Sequence, residues 1–352
     1  MDQGTIRIAA EPLKKFAIDI LTAAGMPPDD AENEAGVLVW SNLRGVDSHG
    51  VMRITSYMKN IDIGLMNPKP KIKIINETPA TIFVEADHAF GAVVTTFAME
   101  RVIEKAKKLG IGWGLIRNNT HQGAMGYYAW MAAQQDLIGM AAVASGPIVA
   151  PFGARAASVS NNPIAFSLPT ASYKPIVFDM ATSVVAMGKI RLAGENGKPI
   201  PEGWAIDEDG NPTTDPAKAK ALLPAGGAKG SGLSFVIECM ASVLAGAPII
   251  APVLKGRRST DQIQNSFIMA IDIATFGDVD EYKKNVDEFI GCFADLPPAK
   301  GFSKVMAPGM PEWAIWEERS KSGIPLEAGT AQNLREVASR FSVPLPVEMR
   351  LT

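Results

Sequence analysis

The stretch IGWGLIRNNTHQGAMGYYAWMAAQQDLIGMAAVA (residues 111–144) decides the fold class, because two strand patterns enclose a helical one. Residues 111–116 and 138–144 are short apolar runs typical of buried strands, and residues 123–135 carry apolar side chains at helical spacing. The polar residues 118–122 separate the first strand from the helix. Alternating strand and helix patterns of this kind predict an α/β layer architecture.

Helical patterns precede this stretch, and further strand patterns follow it. Apolar residues at three- and four-residue spacing predict helices over residues 12–24, 28–42, 53–63 and 92–108. Short apolar or alternating runs predict strands over residues 71–74, 164–168, 176–178 and 267–273, the first of them half-buried. We therefore expect a helical N-terminal region (1–75), an α/β nucleotide-binding and catalytic core (76–300), and a C-terminal tail (301–352) that packs on the first region.

The composition is typical of a globular enzyme with a small-molecule partner. The 352 residues include 34 Lys and Arg against 37 Asp and Glu, so no strong field attracts nucleic acid or a membrane surface. The N-terminus shows no signal-peptide pattern, and a charge, a glycine and two prolines interrupt the most apolar stretch, residues 233–254. Cys239 and Cys292 cannot form a disulfide framework, and we expect buried thiols in a reducing, cytoplasmic setting.

The glycine pattern excludes a standard Rossmann dinucleotide-binding turn. The three glycines of residues 110–114 alternate into a strand pattern and do not open a helix. The run GGAKGSG (226–232) directly precedes the helical pattern of residues 233–244, where free backbone N–H groups could face a pyrophosphate. The spacing around Lys229 does not match a P-loop, so ATP chemistry is not expected. The alternative for this run is a flexible loop with a solvated lysine.

Two of the three histidines lie in polar motifs suited to proton transfer. Ser48 and His49 occur at a helix break, four residues before Arg53, and His121 occurs in the polar loop after the first strand. The ordinary pKa of histidine suits exchange of a hydroxyl proton near neutral pH, and arginine can bind a carboxylate through two parallel hydrogen bonds. The alternatives are a capped structural histidine and an ordinary connecting loop. We expect His88 to be exposed.

A carboxylate also stands at the end of a predicted strand. Asp179 follows residues 176–178, where it could accept hydrogen bonds from ribose hydroxyls or a nicotinamide amide, or could cap a helix. Arg257 and Arg258 could meet the 2′-phosphate of NADP, although paired arginines in a polar loop are usually solvated. No cluster at metal-ligand spacing accompanies the histidines, so no metal is predicted.

Taken together, these motifs resemble the malate/L-lactate dehydrogenase family, which includes ureidoglycolate dehydrogenase, sulfolactate dehydrogenase, diketogulonate reductase and a ketimine reductase. The resemblance covers almost the whole chain and rests on the order and spacing of RGVDSHGVMR (44–53), NNTHQG (118–123), PFGA (151–154), NNPIAF (161–166), FDMATS (178–183), WAIDEDGNPTTDP (204–216) and LLPAGGAKGSGL (222–233). It implies a non-Rossmann, malate/L-lactate (sulfolactate) dehydrogenase-like fold with a helical N-terminal region. It also implies a homodimer with NAD or NADP bound near the subunit interface.

The resemblance further implies roles for individual residues. The positions that match catalytic ones are His49 with Ser48, and His121 in the ureidoglycolate branch. The positions that match substrate-binding ones are Arg53, with Arg44 and Asn161 as further candidates. The positions that match cofactor-binding ones are Ser145, Asp179, Met180, Ala181, Lys229, Gly230, Pro308 and Gly309.

This sequence departs from the family's pattern at three positions. The resemblance implies an aspartate in the ketimine reductase branch at the position of Lys189, where it completes a Ser-His-Asp relay that is absent here. Lys189 therefore joins the catalytic candidates, and hydroxy-acid chemistry is favoured over imine reduction. Asn161 replaces a threonine, and Met310 a polar residue. We expect hydride transfer between NAD(P) and a small 2-hydroxy acid of malate, lactate, ureidoglycolate or sulfolactate type. The alternatives are an NADPH-dependent reductase of cyclic ketimine carboxylates and a non-catalytic nucleotide-binding protein.

Overall fold

The computed structural model describes residues 5–195, 197–257 and 263–350. Its strands are β1 (Ile6–Ile8), β2 (Lys73–Glu77), β3 (Thr81–Glu85), β4 (Ile111–Asn119), β5 (Leu137–Ala144), β6 (Ile164–Leu168), β7 (Ile176–Met180), β8 (Ala205–Ile206), β9 (Pro212–Thr213), β10 (Ala221–Leu222), β11 (Gln264–Asp272) and β12 (Ile324–Leu326). Its α-helices are α1 (Ala10–Ala23), α2 (Pro28–Leu43), α3 (Arg53–Asp62), α4 (Gly91–Leu109), α5 (Gly126–Ala133), α6 (Met187–Glu195), α7 (Ala228–Glu238), α8 (Ile250–Leu254), α9 (Val279–Ala294), α10 (Met310–Ser322) and α11 (Ala328–Arg340).

The central sheet has the strand order β2-β3-β4-β11-β5-β6-β7. β3 and β4 are parallel, whereas β11 runs antiparallel to both β4 and β5, and β6 runs antiparallel to both β5 and β7. β4, β5 and β7 therefore point the same way, and their carboxyl ends share one edge of the sheet. A Rossmann sheet is mostly parallel, so this mixed sheet confirms the expected non-Rossmann α/β fold.

Helices cover both faces of the central sheet, which explains its long apolar runs. α4 and α5 share a core with one face, and α7 with its π-helical continuation (Cys239–Val243) packs on the other. A Cβ on Gly112 would lie 2.1 Å from the Val102 carbonyl oxygen, and one on Gly139 would lie 2.1 Å from that of Ala129. These glycines therefore serve close helix–sheet packing, which gives the glycine-rich strand pattern a structural explanation.

The N-terminal helices share a second core with the C-terminal tail. β1 pairs antiparallel with β12, and the buried faces of α1, α2 and α3 pack against α11. Leu13, Ile20 and Leu334 are all 0% exposed in this cluster. Burial of each such side chain stabilises the fold by about 1.5–3 kcal/mol. The exact division of the chain at residues 75 and 300 stays a prediction.

Local sequence signals account for several helix ends. Pro28 occupies the first turn of α2 together with Asp29 and Asp30, whose charges complement the helix dipole. α4 ends at Gly110, whose φ of 86° is the left-handed conformation that stops a helix. The Asp278 carboxylate accepts a hydrogen bond from the Glu281 N–H and so caps α9.

Most of the predicted strands and helices are confirmed with small changes of bounds, but three expectations are wrong. The half-buried strand at residues 71–74 begins instead at Lys73 and is exposed, because β2 pairs only with β3 at the edge of the sheet. The helix expected from residue 233 begins at Ala228. Cys239 and Cys292 are exposed free thiols, not buried ones. Within the described residues, no helix is long and apolar enough to cross a membrane.

Candidate active site

Three predicted site segments meet at the shared carboxyl edge of the central sheet. His121 follows β4, Ser145 follows β5, and Asp179 is the penultimate residue of β7. Loops and strand ends at such an edge are where α/β enzymes place chemistry, because the rigid sheet holds them in register. The fold therefore assembles here residues that are far apart in the sequence.

The two histidine motifs come together in the structure. The ring centroids of His49 and His121 lie 5.4 Å apart, with the ring planes inclined by 30°. The Ser48 hydroxyl lies 2.9 Å from Nδ1 of His49, and Nε of Arg53 donates to the Ser48 carbonyl oxygen at 2.5 Å. The contacts thus join Ser48, His49, Arg53 and His121 in one group.

The tautomer of His121 follows from its hydrogen bonds. The Tyr57 hydroxyl lies 2.8 Å from Nδ1, and the Gly123 backbone N–H donates to the same nitrogen at 3.3 Å. A backbone N–H can only donate, so Nδ1 is an acceptor and the neutral ring carries its proton on Nε2. Sequence analysis missed Tyr57, although it follows Arg53 by four residues on α3 and so shares its helix face.

Both histidines are held in the neutral state. Burial, and secondarily the Arg53 guanidinium, lowers the pKa of His49 to about 4. Burial, Arg53 and then His49 hold the pKa of His121 well below its usual value. The site near neutral pH therefore contains two uncharged imidazoles beside one guanidinium. This arrangement favours an anionic ligand, since Arg53 has no carboxylate of the protein within ion-pair distance in the described chain.

Contacts to α4 and α5 hold the loop that carries His121. A Cβ on Gly91, the first residue of α4, would lie 2.2 Å from the His121 carbonyl oxygen, so only glycine permits this approach. The Thr95 hydroxyl donates to Oε1 of Gln122 at 2.9 Å, and the Tyr128 hydroxyl donates to the Gln122 carbonyl oxygen at 2.5 Å. The loop is therefore fixed to rigid elements on both sides.

Glu34 is a buried acid next to this loop. It is 1% exposed, and its Oε2 accepts a hydrogen bond from the Ala92 N–H, in the first turn of α4, at 3.2 Å. Burial raises the pKa of Glu34 to about 8, and the hydrogen bond opposes the rise. Its charge contributes to the raised pKa of both Tyr57 and Tyr128. Sequence analysis did not single out Glu34, although it lies on the apolar face of α2.

Asp179 anchors the helix that follows the His121 loop. Its Oδ2 accepts a hydrogen bond at 2.7 Å from the backbone N–H of Gly126, the first residue of α5. Asp179 thus accepts from the first N–H of a neighbouring helix and is not the N-cap residue of that helix, which is Met125. The side chain stays open to solvent, while the surrounding protein raises the pKa of Asp179 to about 6. The carboxylate therefore combines a hydrogen bond to α5 with access to solvent.

Ser145 and Asn161 lie at the same edge as Asp179. The Ser145 hydroxyl lies 2.6 Å from that of Ser160, which in turn donates to Oδ1 of Asn161 at 3.3 Å. The Asn161 carbonyl oxygen accepts from the Thr182 N–H at 2.8 Å. The end of β5, the start of β6 and the end of β7 are thus joined into one polar surface.

The glycine-rich turn before α7 packs against this surface. A Cβ on Gly230, in the first turn of α7, would lie 2.6 Å from the Thr182 carbonyl oxygen, so the start of the helix approaches this surface more closely than any other residue would allow. The predicted free N–H groups are largely absent. The backbone N–H groups that donate to nearby carbonyl oxygens are those of Gly227, Lys229, Gly230 and Ser231. The Lys229 side chain is exposed. Lys229 therefore presents an exposed ammonium group, and the backbone around it forms no open nest of N–H groups.

The remaining cofactor candidates lie along β7. A Cβ on Gly309 would lie 2.9 Å from the backbone nitrogen and oxygen of Val177, so the Pro308–Gly309 turn rests directly on this strand. The Met180 side chain packs against the core on the α7 face of the sheet. Ala181, next along the chain, is partly buried. Met180 thus fills the core with its side chain, and the Gly309 turn covers the strand that ends in Asp179.

Three candidates are not brought to the histidine pair. Arg44 is 3% exposed and stacks between the rings of Trp40 and Trp313, at 4.8 and 4.4 Å, which does not support the predicted contact with a substrate carboxylate. Burial lowers the pKa of Arg44 to about 10. Lys189 is exposed on α6, and no ion pair or hydrogen bond joins its side chain to either histidine in the described chain. Asn161 likewise contacts the Asp179 side, not the histidines.

Other expectations concern residues outside the site. His88, expected to be exposed, is partly buried, with a φ of 57° in the turn after β3. Arg257 is exposed, and Arg258 lies outside the described residues. Within those residues, no three His, Cys, Asp or Glu side chains are grouped as metal ligands would be.

Known proteins resemble this chain over nearly its full length. The family model for malate/L-lactate dehydrogenase matches residues 8–335. Malate dehydrogenase of Pyrococcus horikoshii is 37% identical over 353 residues, 97% of this chain and 98% of that one. L-sulfolactate dehydrogenase of Methanocaldococcus jannaschii is 39% identical over 334 residues, 94% and 96% of the two chains. Ureidoglycolate dehydrogenase (NAD(+)) of Escherichia coli strain K12 is 33% identical over 327 residues, 91% and 93%.

Solved structures share the fold. Malate dehydrogenase from Entamoeba histolytica superposes with a TM-score of 0.93 at 30% identity, covering 97% of this chain and 100% of that one. Δ1-piperideine-2-carboxylate reductase from Pseudomonas syringae superposes with a TM-score of 0.83 at 28% identity, covering 95% and 100%. Fold, site and relatives together define a 2-hydroxy-acid dehydrogenase. The chain belongs to the malate/L-lactate dehydrogenase family.

Proposed function

We propose that this enzyme transfers a hydride between a nicotinamide cofactor, NAD or NADP, and C2 of a small 2-hydroxy acid of malate, lactate, ureidoglycolate or sulfolactate type. The observation that carries the proposal is the contact group of His49, His121 and Arg53. In the oxidative direction the C2–H and O–H bonds break and a C=O bond forms, giving the 2-oxo acid, the reduced cofactor and a proton. When bound, the nicotinamide ring supplies the acceptor for the hydride.

Arg53 binds the substrate carboxylate. Its Nε already donates to the Ser48 carbonyl oxygen, so the two terminal nitrogens remain for two parallel hydrogen bonds to a carboxylate. Arg53 is also the first residue of α3, where the helix dipole favours an anion. A charge-assisted hydrogen bond of this kind contributes about 1.5–3 kcal/mol, and the fork fixes the orientation of C2.

The two histidines divide the work on the substrate oxygen. Nε2 of His121 carries the proton of the neutral ring, so it donates a hydrogen bond to the oxygen at C2. The Ser48 hydroxyl can accept from Nδ1 of His49, which leaves the lone pair of Nε2 to take up the hydroxyl proton. In the reverse direction, protonated His49 returns this proton to the carbonyl oxygen.

The residues at the sheet edge fit a dinucleotide. The Asp179 carboxylate, open to solvent at the sheet edge, can accept hydrogen bonds from hydroxyl or amide groups. Lys229 offers a cation for a pyrophosphate, and Gly226 and Gly227 beside it have positive φ and no side chain to obstruct a close approach. The other residues proposed to contact the cofactor are Ser145, Met180, Ala181, Gly230, Pro308 and Gly309.

A homodimer accounts for the exposed apolar face of α7 and its π-helical continuation. Phe235 is 64% exposed, Leu244 is 62% exposed and Val243 is 54% exposed. Contiguous exposed apolar side chains of this size mark an interaction surface. We expect light scattering on the purified protein to give twice the chain mass, and Phe235→Glu to shift it toward the monomer.

The two exposed free thiols are compatible with a reducing compartment, and we propose the cytoplasm.

The test of this function is a substrate panel with both cofactors. Oxidation of NADH and of NADPH would be followed with pyruvate, oxaloacetate, oxalurate, sulfopyruvate, diketogulonate and a cyclic ketimine carboxylate. We expect turnover with at least one 2-oxo acid and a lower kcat/KM with the imine. The alternative is a ketimine reductase, for which the Pseudomonas syringae neighbour and the Ser48–His49 contact are the supporting observations. Faster reduction of the imine than of every 2-oxo acid would favour that alternative. Cofactor binding without turnover would favour a non-catalytic protein.

A further inference from the structure

Helix α10 holds the turn that carries Ser48 and His49. Arg319 donates from both terminal nitrogens to the Asp47 carboxylate, at 2.7 and 3.0 Å, and also to the Asn42 carbonyl oxygen. The Arg319 side chain is 12% exposed. A planar guanidinium bound to a carboxylate through two bonds fixes orientation as well as distance. Asp47 directly precedes Ser48, so the fork restrains the turn next to its functional residues.

Asn42 extends this restraint to the far end of the turn. Its Nδ2 donates to Oδ1 of Asp47 at 2.6 Å, and its Oδ1 accepts from the Val51 N–H at 2.9 Å. A Cβ on Gly50 would lie 2.2 Å from Oδ1 of Asn42, so the turn closes tightly over this side chain. Asn42 therefore bridges Asp47 and Val51, which lie on either side of His49. Val51 is two residues before Arg53.

The same helix also contacts the proposed cofactor side. α10 begins directly after the turn formed by Pro308 and Gly309, which rests on β7, and the Trp313 indole donates to the Pro175 carbonyl oxygen at 2.8 Å. Arg319 lies ten residues after Gly309, a rise of about 15 Å along the helix. One rigid helix therefore spans from β7 to the histidine turn.

We propose that Arg319 is a positioning residue, which acts through Asp47 and Asn42 to hold His49 and Arg53 in reach of His121 and in register with β7. This inference rests on the proposed function, because it assigns the reaction to the histidine turn. Loss of the fork keeps the hydrogen bond between Asn42 and Asp47 but removes the contact between this turn and α10. A displacement of the reacting groups by about 1 Å is expected to lower the rate by roughly 10²-fold.

The test compares two variants, each of which removes one arginine–carboxylate ion pair: Arg319→Gln at the histidine turn and Arg340→Gln at the far end of α3. Arg340 and Asp62 form a fork of the same geometry between α11 and the end of α3, with hydrogen bonds of 2.7 and 2.5 Å. This fork is more exposed than that of Arg319 and lies at the far end of α3 from Arg53. We expect Arg319→Gln to lower kcat/KM for the 2-oxo acid about 10- to 100-fold with little change in cofactor Kd. We expect Arg340→Gln to change kcat/KM by less than about 3-fold, the scale of a surface ion pair.

A double variant separates positioning from general damage. Because Asp47→Asn removes the same fork, the Arg319→Gln/Asp47→Asn pair should lose little more than either single variant. Arg319→Lys, which keeps the charge but loses the fork, should fall between the wild type and Arg319→Gln. Additive losses in the double variant, or kinetics of Arg319→Gln equal to those of Arg340→Gln, would overturn the proposal.

A spectroscopic readout keeps this test independent of turnover. In ¹⁵N-histidine spectra of the full-length protein, we expect Arg319→Gln to shift the His49 ring signals and Arg340→Gln to leave them unchanged. If the wild type reduces no 2-oxo acid, the proposed function fails, while the His49 signals still decide the positioning role. Unchanged His49 signals in Arg319→Gln would overturn the positioning role even where the activity is confirmed.

Discussion

The Tyr57 hydroxyl lies 2.8 Å from Nδ1 of His121, so that Nε2 is the ring nitrogen of His121 left for a substrate. His49 approaches with its own Nδ1 directed to Ser48. The two imidazoles therefore differ in their roles. His121 donates a fixed hydrogen bond, whereas the Ser48 hydroxyl beside His49 can donate or accept and so suits either protonation state of that ring. Predictions for the two residues differ accordingly.

His49→Asn should remove the proton acceptor, whereas His121→Asn should keep a hydrogen-bond donor. We expect kcat for 2-hydroxy-acid oxidation to fall by about 10²–10⁴-fold in His49→Asn, the usual contribution of a general base. We expect a smaller loss in His121→Asn, with the acid limb of the pH–rate profile retained. Steady-state kinetics from pH 3 to 9 decide this, because the pKa of His49 in the free enzyme is about 4. An acid limb that disappears in His121→Asn and persists in His49→Asn would reverse the assignment.

Replacing Arg53 should weaken substrate binding without loss of cofactor binding. We expect Arg53→Ala to lower kcat/KM for the 2-oxo acid by about 10²-fold or more, because a charge-assisted fork is lost at a partly buried site. Arg53→Lys should recover only part of this loss. The exposed Arg350 offers a control, since among the described residues its side chain donates to the Leu345 carbonyl oxygen. Wild-type KM in Arg53→Ala would exclude the carboxylate-binding role.

Substrate binding should raise the pKa of the proton acceptor. Arg53 contributes to the pKa of about 4 for His49 in the free enzyme, and a bound carboxylate neutralises that guanidinium. Oxidation requires neutral His49, so activity rises with pH through its pKa. The acid limb of kcat, which reports the bound complex, should therefore lie at higher pH than that of kcat/KM, which reports the free enzyme. Coincident limbs, or a lower one for kcat, would contradict this coupling.

Glu34 should make the fold less stable as the pH rises. Its pKa is raised from 4.5 to about 8 in the folded protein, so the folded state binds more protons than the unfolded state between these values. The free energy of unfolding therefore falls across this window, by an amount on the order of a few kcal/mol. Glu34→Gln should remove this dependence. Its free energy of unfolding relative to that of the wild type should therefore be higher at pH 9 than at pH 5.

Urea unfolding at several pH values measures this difference. Glu32→Gln is the matched control, since Glu32 is exposed on the same helix and pairs with Lys14. Equal pH dependence of unfolding in the wild type and in Glu34→Gln would show that Glu34 does not carry the buried charge.

Apolar spacing was enough to predict most of the fold. The strands at β4, β5 and β6 and the helices α2 to α4 follow from runs whose side chains must be buried. β2 was mispredicted because the alternation of Lys71 to Ile74 reads as half-buried, while its edge position leaves both faces exposed. Burial at an edge depends on what packs there, which local sequence does not contain.

The candidate site was predictable where polar motifs stand out locally. The motifs of His49 and His121 were found this way, and the fold brings them together. Tyr57 was missed although it shares a helix face with Arg53, four residues earlier. Arg319 was missed because it reaches the histidine turn only through tertiary packing of α10. Arg44 was assigned to the substrate from its nearness in sequence to His49, whereas it lies between the indoles of Trp40 on α2 and Trp313 on α10. The glycines around Lys229 were assigned to phosphate binding, whereas their N–H groups close the turn itself.

Deuterium transfer tests the central claim most directly. The enzyme would be incubated with a 2-oxo acid from the panel and nicotinamide cofactor carrying deuterium at both C4 positions, and the product analysed by NMR and mass spectrometry. We predict a 2-hydroxy acid with one deuterium at C2, formed by the wild type and at least about 10²-fold more slowly by Arg53→Ala. Absence of deuterium at C2, or equal rates in the two proteins, would contradict hydride transfer to a substrate held by Arg53 beside the two histidines.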